Sequence, residues 1–576
     1  MKLAAADLWG KRRPQLGRDL LAATTVTFLS IPQGVAYAMI AGLPPAMGLY
    51  AATLPAIFGS LFRSSHLVVS GPTNAVSLLV GTATAAAADR AGMDPVQVAI
   101  TLAAMVGLIQ VGAGLLKLGV LVDYVSRSVV LGYITGAAVL IGVGQLANTT
   151  GTAGGRGNLP EQLWLWARGL GDVHVLSLGL ALGAALMVAG FHRFAPRVPG
   201  ALVAMLAGIG GSMLFDLGGR GVRVSGDIAP VAAGFPPLSI PGGLDLFELV
   251  PLAIAATVLS LVESSAVGRS LATKTGSRLD ADTEFVGQGL SNLAAAFTSG
   301  YPVSGSLSRS VLNEAVGASS RLAGALSGVL VLAVLLLAGP VVDYTPIPVL
   351  AGILLVVAWR MIDRPAIERA LRSSPVDALA FAGTVAGTFL VRLDIAIYIG
   401  VGISLVVFLR RARLLRAGEL RFDRDGRLRE SEPGRRGGTP CRAVKIVHLE
   451  GSLFFGAAGE LRELLEEAVE PSTKVLLVRV KRTHDLDATT AQVFAEVAEA
   501  LARSGRTLLL VGMRPRAMEI LEASGTAGRL GADALFPTQP GWFVAMEQAL
   551  ERALELAGEH DCGDGCPAAA YLGSDR

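Results

Sequence analysis

The chain has 576 residues, of which 52% are hydrophobic and 16% charged, with a formal net charge of +3. That composition is far too apolar for a soluble protein of this length and implies a polytopic membrane protein. The near-neutral balance implies no nucleic-acid partner, and the surplus arginines cluster beside apolar segments, where membrane topology explains them.

The basic N-terminus (Lys11, Arg12, Arg13, Arg18) leads into an apolar segment without a small-residue cleavage site, so that segment is expected to stay as a helix. Apolar stretches of spanning length begin near Asp19, Pro45, Pro95, Asp123, His174, Gly200, Phe247, Glu284, Ser319, Ile347, Val376 and Ile395. Two shorter elements bring the expected total to about fourteen. An even number puts both termini on one side. Lys11 to Arg13, Arg193 and Arg197, Arg269 to Arg278, Arg360 to Arg372 and Arg410 to Arg416 mark the loops expected to face the cytoplasm. Arg156 and Arg168, in a long Gly-rich loop, and Arg220 and Arg223 should face outward.

The two shorter elements are polar breaks. Thr298 to Gly317 lies between long apolar segments, yet it is too short and too polar to cross a bilayer alone. Pro302 and two glycines end regular structure there, and the hydroxyls of Ser304 to Ser310 open a short helix whose N-terminal amides attract anions. Val69-Ser70-Gly71-Pro72-Thr73-Asn74 matches Val303-Ser304-Gly305-Ser306 in type and again precedes a short apolar helix. One such break per half is the mark of an inverted-repeat transporter with its site at the bilayer midplane.

After Arg416 a polar, Arg- and Gly-rich linker runs through Gly438, and the rhythm then changes. Strand-like runs at Arg442 to Leu449, Thr473 to Val480 and Arg506 to Val511 alternate with helical patterns at Ala457 to Val469, Thr489 to Ala502 and Arg514 to Ser524. This predicts a small cytoplasmic α/β domain. The three cysteines, Cys441, Cys562 and Cys566, all lie in this polar part, so no disulfide framework holds the fold. His560-Asp561-Cys562-Gly563-Asp564-Gly565-Cys566 has metal-capable side chains, but Cys-x3-Cys without a second pair does not make a structural zinc site. It is assigned to a mobile tail, with no metal and no cofactor expected.

Arg309 is the sharpest candidate, because a guanidinium at membrane depth demands a cavity and a negative partner. Either it shapes the field of a substrate site or it is a structural cation paired with Glu314 or Glu263. Gly305, Ser306, Leu307 and Ser308 would add hydroxyl and amide donors, with Thr73 doing the same from the facing break. For any single serine, helix capping is an equal alternative. Glu263 ends the apolar run Leu252 to Val262 and is the candidate for ion coupling, since neutralising a carboxylate is the easiest way to keep it in low dielectric. A proton is favoured over sodium, although Ser264 and Ser265 keep sodium open. No Gly-x4-Gly-Lys-Ser/Thr phosphate loop is present, so nothing suggests ATP-driven transport, and no nucleophile and base pair or metal cluster in the membrane part suggests an enzyme.

Several motifs resemble the sulfate-permease (SulP) anion transporter family: Ile31-Pro32-Gln33-Gly34-Val35-Ala36-Tyr37-Ala38, Gly42-Leu43-Pro44-Pro45 with Gly48-Leu49-Tyr50, Gly71-Pro72-Thr73 and Ser306-Leu307-Ser308-Arg309-Ser310. The C-terminal α/β segment is similar to a STAS domain. The resemblance implies a seven-plus-seven inverted repeat (about 19–218 and 246–416), core and gate domains, a homodimer and elevator-like movement. It divides the chain into an N-terminus (1–18), a transmembrane domain (19–416), a linker (417–438), a STAS domain (439–557) and a tail (558–576). It also places Gln33 and Tyr37, four residues apart on one helix face, against the two half-helices as site walls. Where STAS relatives carry a phosphorylatable serine after an aspartate, this chain has Ala488 after Asp487; the neighbouring Thr489 is taken as a helix cap.

The expected function is secondary transport of a small anion (sulfate, bicarbonate or dicarboxylate) across the plasma membrane, with proton symport ahead of sodium symport and anion exchange. An anion channel, or an anion-responsive sensor signalling through the STAS domain, is the alternative of another class.

Overall fold

A computed structural model describes residues 15–88, 94–152, 159–195, 198–242, 246–391, 393–422, 428–430, 441–540, 544–560, 562 and 566–573. Lys11 to Arg13, Arg156, Arg197 and most of the expected linker lie outside these residues. The chain divides into two units, Met1–Leu405 and Val406–Arg576.

The first unit is almost wholly helical, as lipid requires of a backbone that must satisfy its own polar groups. In its first half stand α1 (Leu16–Ile40), α2 (Pro45–Tyr50), α3 (Leu54–Phe62), β1 (Val69–Gly71), α4 (Asn74–Ala88), α5 (Pro95–Leu115), α6 (Arg127–Gly144), α7 (Leu146–Thr150), α8 (Leu159–Arg168), α9 (Val175–Phe194) and α10 (Gly200–Phe215). The second half contains α11 (Leu246–Thr275), α12 (Ala281–Phe297), β2 (Ser304–Ser306), α13 (Leu307–Ala315), α14 (Leu322–Ala338), α15 (Ile347–Met361), α16 (Arg364–Ser373), α17 (Pro375–Leu390) and α18 (Leu393–Ala412). Among the described residues seven helical stretches are long and apolar enough to cross a membrane, and shorter apolar helices include Asn74–Ala86 and Pro375–Leu390. The supposed loop around Arg168 is instead the helix α8, amphipathic rather than apolar and therefore invisible to a search for spans.

Both polar breaks form, and they meet. β1 and β2 pair antiparallel, with Val69 opposite Ser306, Ser70 opposite Gly305 and Gly71 opposite Ser304. Each strand hands over at its C-terminal end to a short helix, so α4 and α13 both start at this two-stranded ladder. A second sign of the repeat went unread in the sequence. Gly119-Val-Leu-Val-Asp-Tyr124 and Gly339-Pro-Val-Val-Asp-Tyr344 each form a 3-10 turn, and each follows the helix after its half-helix.

The second unit is an α/β domain with strand order β4-β3-β5-β6-β7-β8. These are β3 (Arg416–Phe422), β4 (Leu428–Glu430), β5 (Val444–Ser452), β6 (Val475–His484), β7 (Thr507–Met513) and β8 (Leu535–Pro537), the last four parallel. Helices α19 (Ala458–Glu467), α20 (Ala488–Arg503), α21 (Pro515–Ala523), α22 (Thr526–Leu530) and α23 (Val544–Ala557) follow the strands. The expected linker is corrected over its described part. β3 pairs antiparallel with β5 and β4 with β3, so the two add a charged hairpin at one side of the sheet, with β4 as its edge. The tail is corrected as well: α24 (Pro567–Gly573) packs Ala568 and Tyr571 into the core beside Phe422. Its apolar residues are too few to show a period, although the sheet covers them.

Candidate functional site

Pro32 stands inside α1, and the residues from Ser30 to Ala38 are buried, so this face of α1 packs inward with Gln33 and Tyr37 on it. Ser306 forms the N-cap of α13, its Oγ 3.5 Å from the backbone nitrogen of Arg309. The capping reading of this serine therefore holds. Ser306 and Ser308 share a hydrogen bond of 3.3 Å, and Gln33 Nε2 donates to Ser308 Oγ at 3.3 Å.

Arg309 is 1% exposed. Its Nη2 donates to the carbonyl of Pro72 at 3.2 Å and its Nε to Gln33 Oε1 at 3.4 Å. The guanidinium thus reaches from the second break to the backbone of the first. Gly71 makes the room, because a Cβ there would stand 1.8 Å from Arg309 Nη1. Gly305 has a different reason for lacking a side chain, as its Cβ would fall 2.7 Å from Ser264 Oγ and 3.0 Å from Ser264 Cα on α11.

No carboxylate among the described residues lies within ion-pair distance of Arg309. Of the two acids considered as partners, Glu314 faces Lys274 at 3.4 Å. Glu263 Oε2 instead accepts from Thr73 Oγ1 at 3.0 Å, while the Ser304 hydroxyl donates to the Ser260 carbonyl at 3.0 Å. Leu307 and Ser308 are exposed, whereas Gln33, Tyr37, Thr73, Gly305 and Ser306 are buried. Leu307 is the first residue of α13, and its side chain can offer a ligand only apolar contact.

Two features escaped the sequence reading. Tyr301 is fully buried beside the break, and its hydroxyl shares a 3.1 Å hydrogen bond with Ser77 of α4. Its signal was a phenol inside a membrane-depth loop, which needs a polar partner. The other is Arg63, 0% exposed at the end of α3. It pairs with Glu284 at 3.4 Å and donates to Gly59 O at 2.8 Å, Gln288 Oε1 at 2.7 Å and Ser70 Oγ. Following Phe62 and preceding two serines, it reads in sequence as an interfacial flank.

In the second unit Asp487 Oδ1 accepts from the Thr490 backbone nitrogen at 2.8 Å, so Asp487 and not Thr489 caps α20. Thr489 stands exposed one residue after Ala488.

The profile of the sulfate permease family matches residues 16–384, and that of the STAS domain matches residues 440–539. The chain belongs to the sulfate permease family. Relatives include YvdB of Bacillus subtilis (strain 168), 29% identical over 90% of this chain and 96% of its own length. Human solute carrier family 26 member 6 is 29% identical over 81% of this chain and 64% of its own length. Murine solute carrier 26 family member A9, an anion transporter, shares the fold with a TM-score of 0.83 at 20% identity, covering 95% of this chain and 93% of its own. The sulfate permease assignment and this likeness make the first unit a polytopic membrane fold, with a mixed-sheet STAS domain after it.

Proposed function

We propose that this chain is a secondary active transporter of small anions of the sulfate, bicarbonate or dicarboxylate class, with its site at the meeting of the two breaks. The observation that carries the proposal is Arg309: a buried cation between two half-helix starts, held by a carbonyl and an amide oxygen and, among the described residues, by no carboxylate. Such a charge is costly at membrane depth without a counter-ion, and a bound anion supplies one. Gln33, Ser306 and Ser308 surround it with polar groups, and the amides at the start of α13 add a positive end. Arabidopsis thaliana sulfate transporter 3.1, 26% identical over 90% of this chain, favours sulfate within this class.

In this reading Glu263 carries the coupling proton. Thr73 joins its carboxylate to the entrance of α4, so a change in its charge alters the hydroxyl that faces the anion. Movement of a core against a gate in an elevator-like cycle, a homodimer, and a plasma-membrane location with the STAS domain in the cytoplasm complete the proposal. The test is uptake of labelled sulfate, bicarbonate and a dicarboxylate into proteoliposomes, with and without an inward proton or sodium gradient. Concentrative, proton-stimulated uptake that Arg309→Ala abolishes is expected. Anion flux that never exceeds equilibrium under any gradient would overturn secondary active transport and favour a channel.

A further inference from the structure

The sequence of the C-terminal segment holds two cysteines and a histidine with no fourth ligand nearby. The fold supplies it from 119 residues away. Cys441, just before β5, meets His560, Cys562 and Cys566, and one ligand atom of each lies within 4.8 Å of all the others. Cys441 Sγ stands 3.6 Å from His560 Nε2, 3.7 Å from Cys566 Sγ and 4.0 Å from Cys562 Sγ, while His560 Nε2 is 3.4 Å from Cys566 Sγ.

These separations have a chemical meaning. Zinc–sulfur bonds of about 2.3 Å and a zinc–nitrogen bond of about 2.0 Å in a tetrahedron set sulfur–sulfur edges near about 3.8 Å and sulfur–nitrogen edges near about 3.5 Å. A disulfide would draw two sulfurs to about 2.0 Å and leave the third with no role. The histidine is also prepared for a metal. Its Nδ1 lies 2.8 Å from the carbonyl of Gly558, a partner that takes a proton from Nδ1 and leaves the Nε2 lone pair facing the three sulfurs. The turn that carries His560 is fastened in turn, because Lys474 Nζ donates to the carbonyls of Ala557 at 2.8 Å and Glu559 at 2.7 Å. Cys441 and Cys566 are buried, and Cys562 is half-buried.

We propose that Cys441, His560, Cys562 and Cys566 form a structural zinc(II) site that fastens the C-terminal segment to the start of β5. Binding displaces one proton from each of the three thiols and uses the neutral imidazole as fourth ligand, which closes the coordination sphere and leaves no position for a substrate. The site is structural rather than catalytic. It holds α24 against the sheet and turns residues 441–566 into a single closed loop.

The test uses full-length protein in detergent, without a polyhistidine tag, reduced and stripped with a chelator. Titration with zinc against a chromophoric chelator is expected to show one tight equivalent per chain. Cobalt(II) in its place is expected to give thiolate charge-transfer absorbance and the intense visible bands of a tetrahedral ion. Cys562→Ser, at the most exposed of the three sulfurs, should reduce the charge-transfer intensity by about a third and weaken zinc more than about 100-fold, beyond the loss of an outer-shell partner. His560→Cys should retain a tight tetrahedral site. Absence of a tight equivalent in the unaltered protein overturns the proposal without reference to any variant, as does a cobalt spectrum that Cys562→Ser leaves unchanged.

Discussion

Two arginines lie fully buried on either side of the same two-stranded ladder, and their surroundings are opposite in kind. Successive residues of a strand face opposite ways, so Ser70 turns toward Arg63 while Gly71 leaves its space to Arg309. Arg63 has its counter-ion: its Nη1 faces Glu284 at 3.4 Å as an ion pair without a hydrogen bond, and Gly59, Ser70 and Gln288 accept from its Nε and Nη2. Arg309, among the described residues, has two neutral acceptors and no acid. The two acids divide in the same way. Glu284 also accepts from the Ser65 backbone nitrogen at 3.1 Å and Ser264 Oγ at 3.0 Å, whereas Glu263 accepts from the hydroxyl of Thr73. One charged pair is thus closed within the protein, and the other two charges are held apart with capacity to spare. Structure uses the first kind, and exchange with a solute needs the second.

The largest effect should come from breaking the closed pair. Arg63→Ala leaves Glu284 buried without its cation, a loss of about 3–5 kcal/mol by the usual cost of orphaning one partner. Thermal unfolding in detergent and the monodisperse yield measure it. Arg63→Met combined with Glu284→Gln should recover most of the loss, because no charge then remains unpaired. If the double variant is no better than the single one, the pair is not what holds this region.

Arg309 should behave in the reverse manner. Arg309→Ala orphans no carboxylate, so its unfolding midpoint should shift far less than that of Arg63→Ala, while anion binding and uptake are lost. Arg309→Glu should also abolish binding, since it reverses the field at the half-helix start. Unchanged affinity in both variants would remove Arg309 from the site.

Gly71→Ala sharpens the comparison on a smaller scale. The added carbon claims the position of Arg309 Nη1, so the guanidinium must leave the Pro72 carbonyl, and affinity should fall by about tenfold with stability nearly kept. Gly305→Ala strikes the backbone of α11 at Ser264 and should cost stability first. Equal losses of stability in the two would contradict the different neighbours assigned to them.

How much of this could be read from the sequence follows from distance along the chain. Arg309 was legible because it stands inside a polar break between apolar segments, and strands β5, β6 and β7 were legible because their runs are continuous, whereas the three-residue β8 is too short to show one. Arg63 was not, for its partners Glu284 and Gln288 lie more than 200 residues away and the residue itself resembles a flank. The cysteine cluster failed for the same reason: Cys-x3-Cys was visible, but Cys441 is joined to it only by the fold. Strands β3 and β4 failed differently, since a charged hairpin at the side of a sheet and a charged linker have the same composition until one knows that β5 is there to pair with.

The last and smallest effect separates the two acids. Glu263→Gln keeps an oxygen to accept from Thr73 and removes only the charge, so the variant imitates a permanently protonated carboxyl. Because Glu263 pairs with no cation among the described residues, unfolding should move little, in contrast to Glu284→Gln, which strips Arg63 of its counter-ion. Anion binding and counterflow should survive in Glu263→Gln, since neither needs a net proton movement. Uptake driven by an inward proton gradient should lose its response, because a site that is always neutral cannot release what it carries. Binding, counterflow and gradient-driven uptake measured on the same preparation decide the matter. Retained acceleration by the gradient would show that the proton is carried elsewhere, and loss of binding would show that the Thr73–Glu263 contact serves the anion site itself.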